Sequence, residues 1–334
     1  MRGLLLAILV WAAQPWMQAA SLAPHLRTDG RQVVAAFAEA EKVASKCKVT
    51  LLDGVKVLCL GTLVSTNGII VTKYSELEGA RQPYRVAGGD RRLHRAVLVA
   101  HDARTDLAIL KSDINYDAGL QWGASDKLAM AQWLVAGVDA SPGIRAGIVS
   151  AYPRPIAKTG GVIGIMLGAD GNQTGGVTVD QVVKDGPAQK AGLKKGDIIL
   201  SVDGTPVRTR EKLIESVNRH DPGEKVKLAL KREDKPMDVE ITLGYRTEVF
   251  GMLERNLRMS GEVSKRRAGF ERIIQHDVTM TTTDIGGPLL DLEGRLVGIN
   301  IARSNRVEFF AIPVEDVRRV LGEKAAAIAK AALP

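Results

Sequence analysis

The chain has 334 residues, a net charge of +8, and 45% hydrophobic, 25% charged and 4% aromatic residues. This length suits two or three domains, and the composition excludes a disordered or collagen-like chain. Because aromatic residues for base stacking are scarce, no nucleic-acid partner is expected. We interpret the short basic runs as solvated loops, with a polyanion site as the alternative.

Residues 1–23 have the parts of a secretory signal peptide: Arg2, an apolar run over residues 3–13, and small residues at the end. The apolar run is too short to span a bilayer comfortably. An uncleaved anchor is the alternative, because Trp16 and Met17 stand where small residues are preferred before a cleavage site. Both interpretations predict a periplasmic or secreted protein.

The next predicted element is a helix over residues 31–45, which have apolar side chains at helical spacing and are rich in alanine and glutamate. We interpret it as a packing or subunit-contact element. Residues 47–111 then alternate short runs of strand-forming residues with turn signals. This spacing is typical of an antiparallel barrel.

Two cysteines, Cys47 and Cys59, bracket the first predicted hairpin, whose turn signal is Asp53-Gly54. If the turn has three residues, the two cysteines face each other across the strands. A disulfide in an oxidising compartment is one alternative, and two free buried thiols are the other. No metal site is predicted, because neither cysteine has a second ligand at close spacing.

Three runs in this region resemble the first barrel of the HtrA/Deg family of trypsin-like serine proteases: GTLVS at residues 61–65, GIIVT at 68–72 and DARTDLAILK at 102–111. The family has a histidine general base just after the second run, where this chain has Ser75. A serine hydroxyl cannot accept and return a proton near neutral pH as imidazole does. Asp106 matches the family's catalytic aspartate.

The resemblance extends to the nucleophile loop, where the family has Gly-x-Ser-Gly-Gly-Pro and this chain has Thr283-Asp284-Ile285-Gly286-Gly287-Pro288. Ile285 takes the place of the nucleophile and cannot form an acyl-enzyme. Thr283 replaces a glycine whose N–H helps to hold the oxyanion, and a β-branched residue adopts such backbone angles poorly. The predicted triad positions Ser75, Asp106 and Ile285 are therefore not an intact catalytic set, and no cofactor is predicted.

Another histidine could replace the missing base. Of the five in the chain, only His276 is close in sequence to the nucleophile loop, with Asp277 as a candidate orienting partner. A general base needs a nucleophile to serve, and no serine or cysteine stands at the matching place. We predict structural or surface roles for all five, which are His25, His94, His101, His220 and His276.

Residues 160–243 resemble a PDZ domain of the HtrA type, with matching runs at residues 186–200 and 202–207 and an amphipathic helix at 209–219. The resemblance implies a peptide-binding groove. Its N–H groups at 161–164 receive a terminal carboxylate, the strand from Gly164 pairs with an added peptide strand, and apolar helix residues line a pocket. The predicted peptide-binding residues are Gly161, Val162, Ile163, Gly164, Ile165, Leu213 and Val217. A closed PDZ fold that only braces the barrel is the alternative.

The PDZ-like stretch interrupts the second barrel, since residues 143–151 and 273–277 on either side both resemble strands of that barrel. The predicted fold is mainly β: two six-stranded antiparallel barrels of chymotrypsin type with an inserted α+β PDZ domain. The predicted divisions are a signal peptide (1–23), the helix with the first barrel and the start of the second (31–158), the PDZ domain (159–245), a return segment (246–272), the rest of the second barrel with a helix (273–322), and a tail (323–334).

These observations predict a periplasmic or secreted protein that binds unfolded or C-terminal polypeptide segments through its PDZ domain and has an inactive protease domain. One alternative is a serine endopeptidase with a rewired site that involves Ser75, Asp106 or His276. Another is a regulatory subunit of an active HtrA homologue. The predicted partners are accordingly polypeptide segments or protein C-termini, with a homo-oligomer or an active homologue as further candidates.

Overall fold

The computed structural model describes residues 23–26, 30–90, 92–141, 143–168, 175–250 and 261–332. Apart from Ala23, the predicted signal peptide lies outside these residues. The described residues divide into two units, one up to Ala38 and one from Glu39 onward. The described part of the first unit contains a 3-10 turn at Pro24–Leu26 and helix α1 at Arg31–Ala36. Within the described ranges, no helix has the length and apolar character needed to cross a membrane.

Six antiparallel strands form the first barrel, as predicted, and close it in the order β1-β2-β3-β6-β5-β4. Their bounds are β1 (Lys48–Asp53), β2 (Lys56–Leu63), β3 (Ile69–Lys73), β4 (Tyr84–Ala87), β5 (Leu93–Asp102) and β6 (Leu107–Ser112). All five residues of β3 are buried, which explains its nearly continuous apolar sequence. The pairing of Lys73 with Leu107 brings the end of β3 to the start of β6.

Cys47 and Cys59 are free buried thiols, so the disulfide alternative is wrong. Cys47 is the last residue of helix α2 (Ala38–Cys47) and not part of a strand. The β1–β2 turn has two residues, because Asp53 pairs with Lys56, and the register then sets Cys59 opposite Leu51. The prediction that the two cysteines face each other assumed a three-residue turn and a strand that begins at Cys47. The structure has neither.

The second barrel also has six antiparallel strands, in the order β8-β9-β16-β19-β18-β17, and β17 closes it by pairing with both β8 and β18. A short strand, β7, adds to β18 in parallel. The strands are β7 (Gln121–Trp122), β8 (Trp133–Gly137), β9 (Ile144–Ile156), β16 (Phe270–His276), β17 (Pro288–Leu290), β18 (Arg295–Arg303) and β19 (Phe309–Pro313). This confirms the predicted pair of barrels.

The inserted module lies between β9 and β16. Its sheet has the order β10-β11-β12-β14-β15, with β13 paired to β12. The strands are β10 (Ile165–Leu167), β11 (Val177–Val182), β12 (Ile198–Val202), β13 (Thr205–Pro206), β14 (Lys225–Arg232) and β15 (Lys235–Thr242). Helices α3 (Pro187–Lys190) and α4 (Arg210–Asn218) complete it, and the Thr209 side chain caps α4 by accepting from Lys212 N–H.

The core of the inserted module is separate from those of the barrels and includes Val177, Ile199, Leu213, Leu228 and Ile241. After the module, helix α5 (Arg246–Phe250) begins the return segment, and the chain resumes the second barrel at Phe270. The C-terminal region has two helices, α6 (Val314–Glu323) and α7 (Ala325–Lys330), where the sequence analysis predicted one helix followed by a tail.

We expect both cysteines to resist thiol reagents in the folded protein. Burial raises the pKa of each thiol to about 12, so neither forms a thiolate at mildly alkaline pH. Ellman's reagent should detect no thiol in the native protein, and both in concentrated guanidinium without any reductant. Detection of no thiol after denaturation would show that the disulfide forms.

Candidate functional site

Ser75 and Asp106 lie side by side at the edge of the first barrel. Ser75 follows the end of β3 and Asp106 precedes β6, and these two strands are paired neighbours. The Ser75 hydroxyl donates to Asp106 Oδ2 at 2.8 Å, and the Ser75 N–H donates to Asp106 Oδ1 at 3.0 Å. The structure therefore brings the predicted base and aspartate positions together, but with an alcohol in place of an imidazole.

The Asp106 carboxylate is almost fully buried, and burial raises its pKa. The positive charges of Lys73 and Arg266, together with the two hydrogen bonds from Ser75, act in the opposite direction. Lys73 is itself buried, with Nζ 3.2 Å from Glu76 Oε1 and 2.9 Å from the Arg266 carbonyl oxygen. A buried carboxylate needs such compensation, because an unpaired buried charge costs several kcal/mol.

Arg266, from the return segment, closes off this pair. Its guanidinium donates to the carbonyl oxygens of Ala103 at 2.6 Å, Arg104 at 3.2 Å and Gly269 at 2.9 Å. It also lies over the Phe270 ring, 5.0 Å from the ring centroid. Ser75 is only 1% exposed and Asp106 only 2%. The Ser75 hydroxyl is thus buried and already donates its proton to a carboxylate.

The loop that resembles the nucleophile loop is closely packed between the barrels. Gly286 has φ +93°, and a Cβ there would lie 2.1 Å from the Leu60 carbonyl oxygen, so only glycine fits. The Thr62 hydroxyl donates to the Gly286 carbonyl at 3.1 Å, and Leu60 N–H donates to the Ile285 carbonyl at 3.1 Å. The Gly-Gly-Pro part of the motif thus has a structural reason that is independent of catalysis.

Ile285 is fully buried in the apolar core of the second barrel, in a cluster that includes Val149, Val278 and Leu289. The residue before it, Asp284, accepts hydrogen bonds from the N–H groups of Thr281 and Asp139, each at 2.8 Å. Ile285 therefore fills a core position, and its side chain offers no group that could attack a carbonyl.

His276 does not replace the missing base. Its ring is fully buried and stacks on Phe309 with 6.0 Å between ring centroids. Burial lowers its pKa to about 3, so the ring is neutral and has no access to a substrate proton. Asp277, the candidate orienting partner, accepts instead from the Ile148 N–H at 2.7 Å.

Two other histidines have local partners. His94 lies 2.8 Å from Asp90 and 3.1 Å from Asp113, and His101 stacks on Tyr74 with 4.1 Å between ring centroids. Tyr74 directly follows β3, so His101 lies near the end of that strand and lines the same cavity as Asp106, but the Ser75 hydroxyl occupies the position that faces the aspartate. These contacts are of the kind expected for surface and structural histidines.

The inserted module contains a groove between β10 and α4. β10 is at the end of the sheet order and, among the strands of the described ranges, pairs only with β11. The groove opens into a cavity of about 380 Å³. The cavity is lined by all seven predicted peptide-binding residues and by Met166, Leu167, Ile214, Asn218, Arg246 and Phe250.

The backbone N–H groups at residues 161–164 are not equivalent. Gly161 N–H donates to the His220 carbonyl at 2.8 Å, and Val162 N–H donates to the Gly244 carbonyl at 3.0 Å. Within the described part of the chain, the N–H groups of Ile163 and Gly164 have no acceptor. Of the four N–H groups predicted to bind a carboxylate, two thus remain without an acceptor. One of them belongs to Gly164, which has φ +83°.

Comparison with known proteins agrees with this architecture. A family model for the PDZ domain matches residues 161–243. A "probable periplasmic serine endoprotease DegP-like" of Marinomonas sp. (strain MWYL1) is 26% identical, over 56% of each chain. The "periplasmic pH-dependent serine endoprotease DegQ" of Escherichia coli (strain K12) is 30% identical, over 46% of this chain and 33% of its own length.

The chain contains a PDZ domain and resembles HtrA-type trypsin-like proteases. It spans about half the length of the first relative, 56%, and a third of the second, 33%. A solved structure, the serine endoprotease from Yersinia pestis, is 21% identical and covers 62% of this chain and 97% of its own, with a TM-score of 0.31. That score is too low for the structural likeness to carry an argument.

Several groove residues escaped the sequence analysis. Ile214 lies next to Leu213 on α4, and the helical period of that segment could have indicated it. Arg246 and Phe250 could not have been found in this way, because they come from α5, beyond the PDZ match. Their place in the groove depends on how the return segment packs.

We expect His276 to make this protein less stable at acidic pH. The folded state keeps the ring neutral with a pKa of about 3, whereas the unfolded chain binds a proton near 6.5. Stability is therefore full above the unfolded value and is lost as the pH falls below it. Between about pH 7 and about pH 5 the loss amounts to about 2 kcal/mol.

In the His276→Leu variant, denaturant unfolding across this pH range should no longer show this loss of stability. Phe309→Leu is the matched control, since it disturbs the same contact and keeps the titrating ring. It should lower the stability at every pH and leave the pH slope unchanged. A slope in His276→Leu as steep as in the wild type would contradict the assignment.

Proposed function

We propose that this HtrA-type protein binds extended polypeptide segments in the groove between β10 and α4 and does not cleave them. The observation that carries this proposal is the unpaired edge of β10 beside an apolar cavity. An edge strand presents N–H and C=O groups that a peptide can pair with, while the cavity takes alternate side chains. Each such hydrogen bond contributes about 0.5–1.5 kcal/mol.

Absence of cleavage is the second part of the proposal. It is supported by the burial of Ser75 and Asp106, by their mutual hydrogen bond, and by the hydrocarbon side chain of Ile285 in the barrel core. Members of a catalytic triad act as a unit, so the aspartate position alone contributes little. A rewired endopeptidase would need an exposed nucleophile near Asp106, and Ser75 is buried.

We further propose that the protein acts in the periplasm. The relatives from Marinomonas sp. and E. coli are both named periplasmic, and the first 23 residues have the pattern of a secretory signal. In that compartment the groove would meet unfolded segments and C-termini of exported proteins. An active HtrA homologue or a second copy of the chain is a further partner consistent with the family.

Peptide binding can be tested by titration of the purified protein with a fluorescent library of short peptides that have free C-termini. Ile214 is 49% exposed and lines the cavity, so Ile214→Glu removes apolar contact area without disturbing the core. We expect the affinity for bound peptides to fall at least about tenfold, which corresponds to about 1.4 kcal/mol.

The matched control is Met237→Glu. Met237 is a 37% exposed apolar residue of the same module and does not line the cavity. This variant should bind as the wild type does. Failure of every peptide to bind, or equal effects of the two substitutions, would refute the proposed groove.

Absence of cleavage can be tested with unfolded casein and a fluorophosphonate probe, which labels activated serines. Because the Ser75 hydroxyl is buried and donates to Asp106, we expect neither a cleavage product nor a labelled residue. Trypsin in the same assay is the positive control. The endopeptidase alternative would be established if the probe labels a single serine and the substitution of that serine by alanine abolishes both the labelling and the cleavage.

A further inference from the structure

His220 lies just past the end of helix α4, one wall of the proposed groove, and its ring lies between two carboxylates. Nε2 is 3.3 Å from Asp203 Oδ2, and Nδ1 is 3.2 Å from Glu224 Oε2. We infer that protonation of His220 holds this end of α4 in place and makes the groove bind peptides more tightly at mildly acidic pH than at alkaline pH. This inference rests on the proposed function and concerns the regulation of the same groove.

Both ring nitrogens of His220 face an acceptor, and this decides which form of the ring fits. An ionised carboxylate only accepts hydrogen bonds, and a neutral imidazole has a single N–H to donate. The neutral ring can therefore bond to Asp203 or to Glu224, and it directs a lone pair at the other carboxylate. The protonated ring donates to both and carries the opposite charge. An imidazole gains or loses this proton between about pH 5 and 8.

Both carboxylates belong to segments that backbone hydrogen bonds hold in place. Asp203 N–H donates to the Lys227 carbonyl at 2.8 Å, and Lys227 N–H donates to Asp203 Oδ1 at 2.7 Å, which ties the β12–β13 turn to β14. The Glu224 carbonyl accepts from the Leu243 N–H at 2.8 Å, just after β15. The acceptors of the His220 ring therefore have fixed positions.

The charges around the ring leave Asp203 and Glu224 as its partners. Among the residues that the structure describes, these two are the charged groups within ion-pair distance of the His220 ring. The ring is 29% exposed and the two carboxylates are 41% and 52% exposed, so solvent weakens both contacts and the effect on binding is modest. The neighbouring charged residues have other partners, in the ion pairs Arg219–Glu215, Asp221–Lys158, Lys225–Glu240 and Lys227–Asp238.

The backbone of His220 connects the ring to the groove. Its N–H donates to the Val217 carbonyl at 3.1 Å, and its carbonyl accepts from the Gly161 N–H at 2.8 Å. Gly161, Val217 and Asn218 all line the groove cavity. The contact is close, because a Cβ on Gly160 would lie 2.3 Å from Asn218 Cα. A ring held by two carboxylates thus keeps α4 against this end of the groove, and less of the protein has to be ordered when a peptide binds.

The test measures affinity at about pH 5.5 and about pH 8, on either side of the imidazole titration. The peptides are chosen from those that bind the wild type, contain no histidine or cysteine, and carry the fluorophore on the N-terminal amine, so that the ligand does not titrate. Wild-type protein should bind about fourfold more tightly at the lower pH, a factor in keeping with exposed ion pairs.

Two variants of the cluster separate charge from shape. His220→Gln keeps a hydrogen-bonding side chain that cannot become charged, so its affinity should be the same at both pH values and equal to that of the wild type at the higher pH. Glu224→Gln leaves one carboxylate beside the ring and should show about half of the wild-type effect, a factor of about two. Circular dichroism at both pH values checks that each variant is folded.

The matched control is His94→Gln. His94 also lies between two carboxylates, Asp90 and Asp113, but it belongs to β5 of the first barrel and does not line the cavity. This variant should keep the wild-type pH dependence of binding.

Four results would overturn the inference and leave the groove itself established. They are wild-type binding that is equal at both pH values, wild-type binding that is tighter at the higher pH, a His220→Gln variant that keeps the wild-type ratio, and a His94→Gln variant that loses it. If no peptide binds at either pH, the proposed function fails and this inference fails with it.

Discussion

The buried carboxylate of Asp106 is the constraint on which the arrangement between the barrels depends. In a catalytic triad such a carboxylate orients a histidine. Here the Ser75 hydroxyl and N–H bind it directly, and the buried ammonium of Lys73 lies close enough to oppose the effect of burial. The Arg266 carbonyl then accepts from Lys73, which ties the return segment to the first barrel. The predicted base and aspartate positions thus form a structural contact between distant segments.

Strand pairing in the second barrel explains how the chain accommodates an inserted domain. Ile156 near the end of β9 pairs with Phe270 at the start of β16, so the two ends that flank the insertion are already adjacent in the barrel. The pairing of Val162 with Gly244 holds the two ends of the module together as well. Because loop-closure entropy grows only slowly with length, an insertion between adjacent strand ends costs little stability.

The proposed function depends on the inserted module and not on the triad positions. Among Ser75, Asp106 and Ile285 there is neither an exposed nucleophile nor an imidazole, whereas the module has an edge strand, two N–H groups without an acceptor among the described residues, and an apolar cavity. Peptide recognition by strand addition needs no residue of a triad. The proposed binding groove is therefore independent of the chemistry at those positions.

Local patterns in the sequence were sufficient to predict the barrels and to identify the residues at the predicted triad positions. Runs of strand-forming residues between turn signals predicted the strands. The side chains of Ser75 and Ile285 are an alcohol and a hydrocarbon at any position in the fold, so their chemistry could be stated from the sequence. Only the tertiary structure decided that Cys47 and Cys59 are apart, that Lys73 is buried beside Asp106, and that α5 borders the groove. Strand register, burial and the packing of distant segments set these contacts, and no periodicity within a short stretch records them.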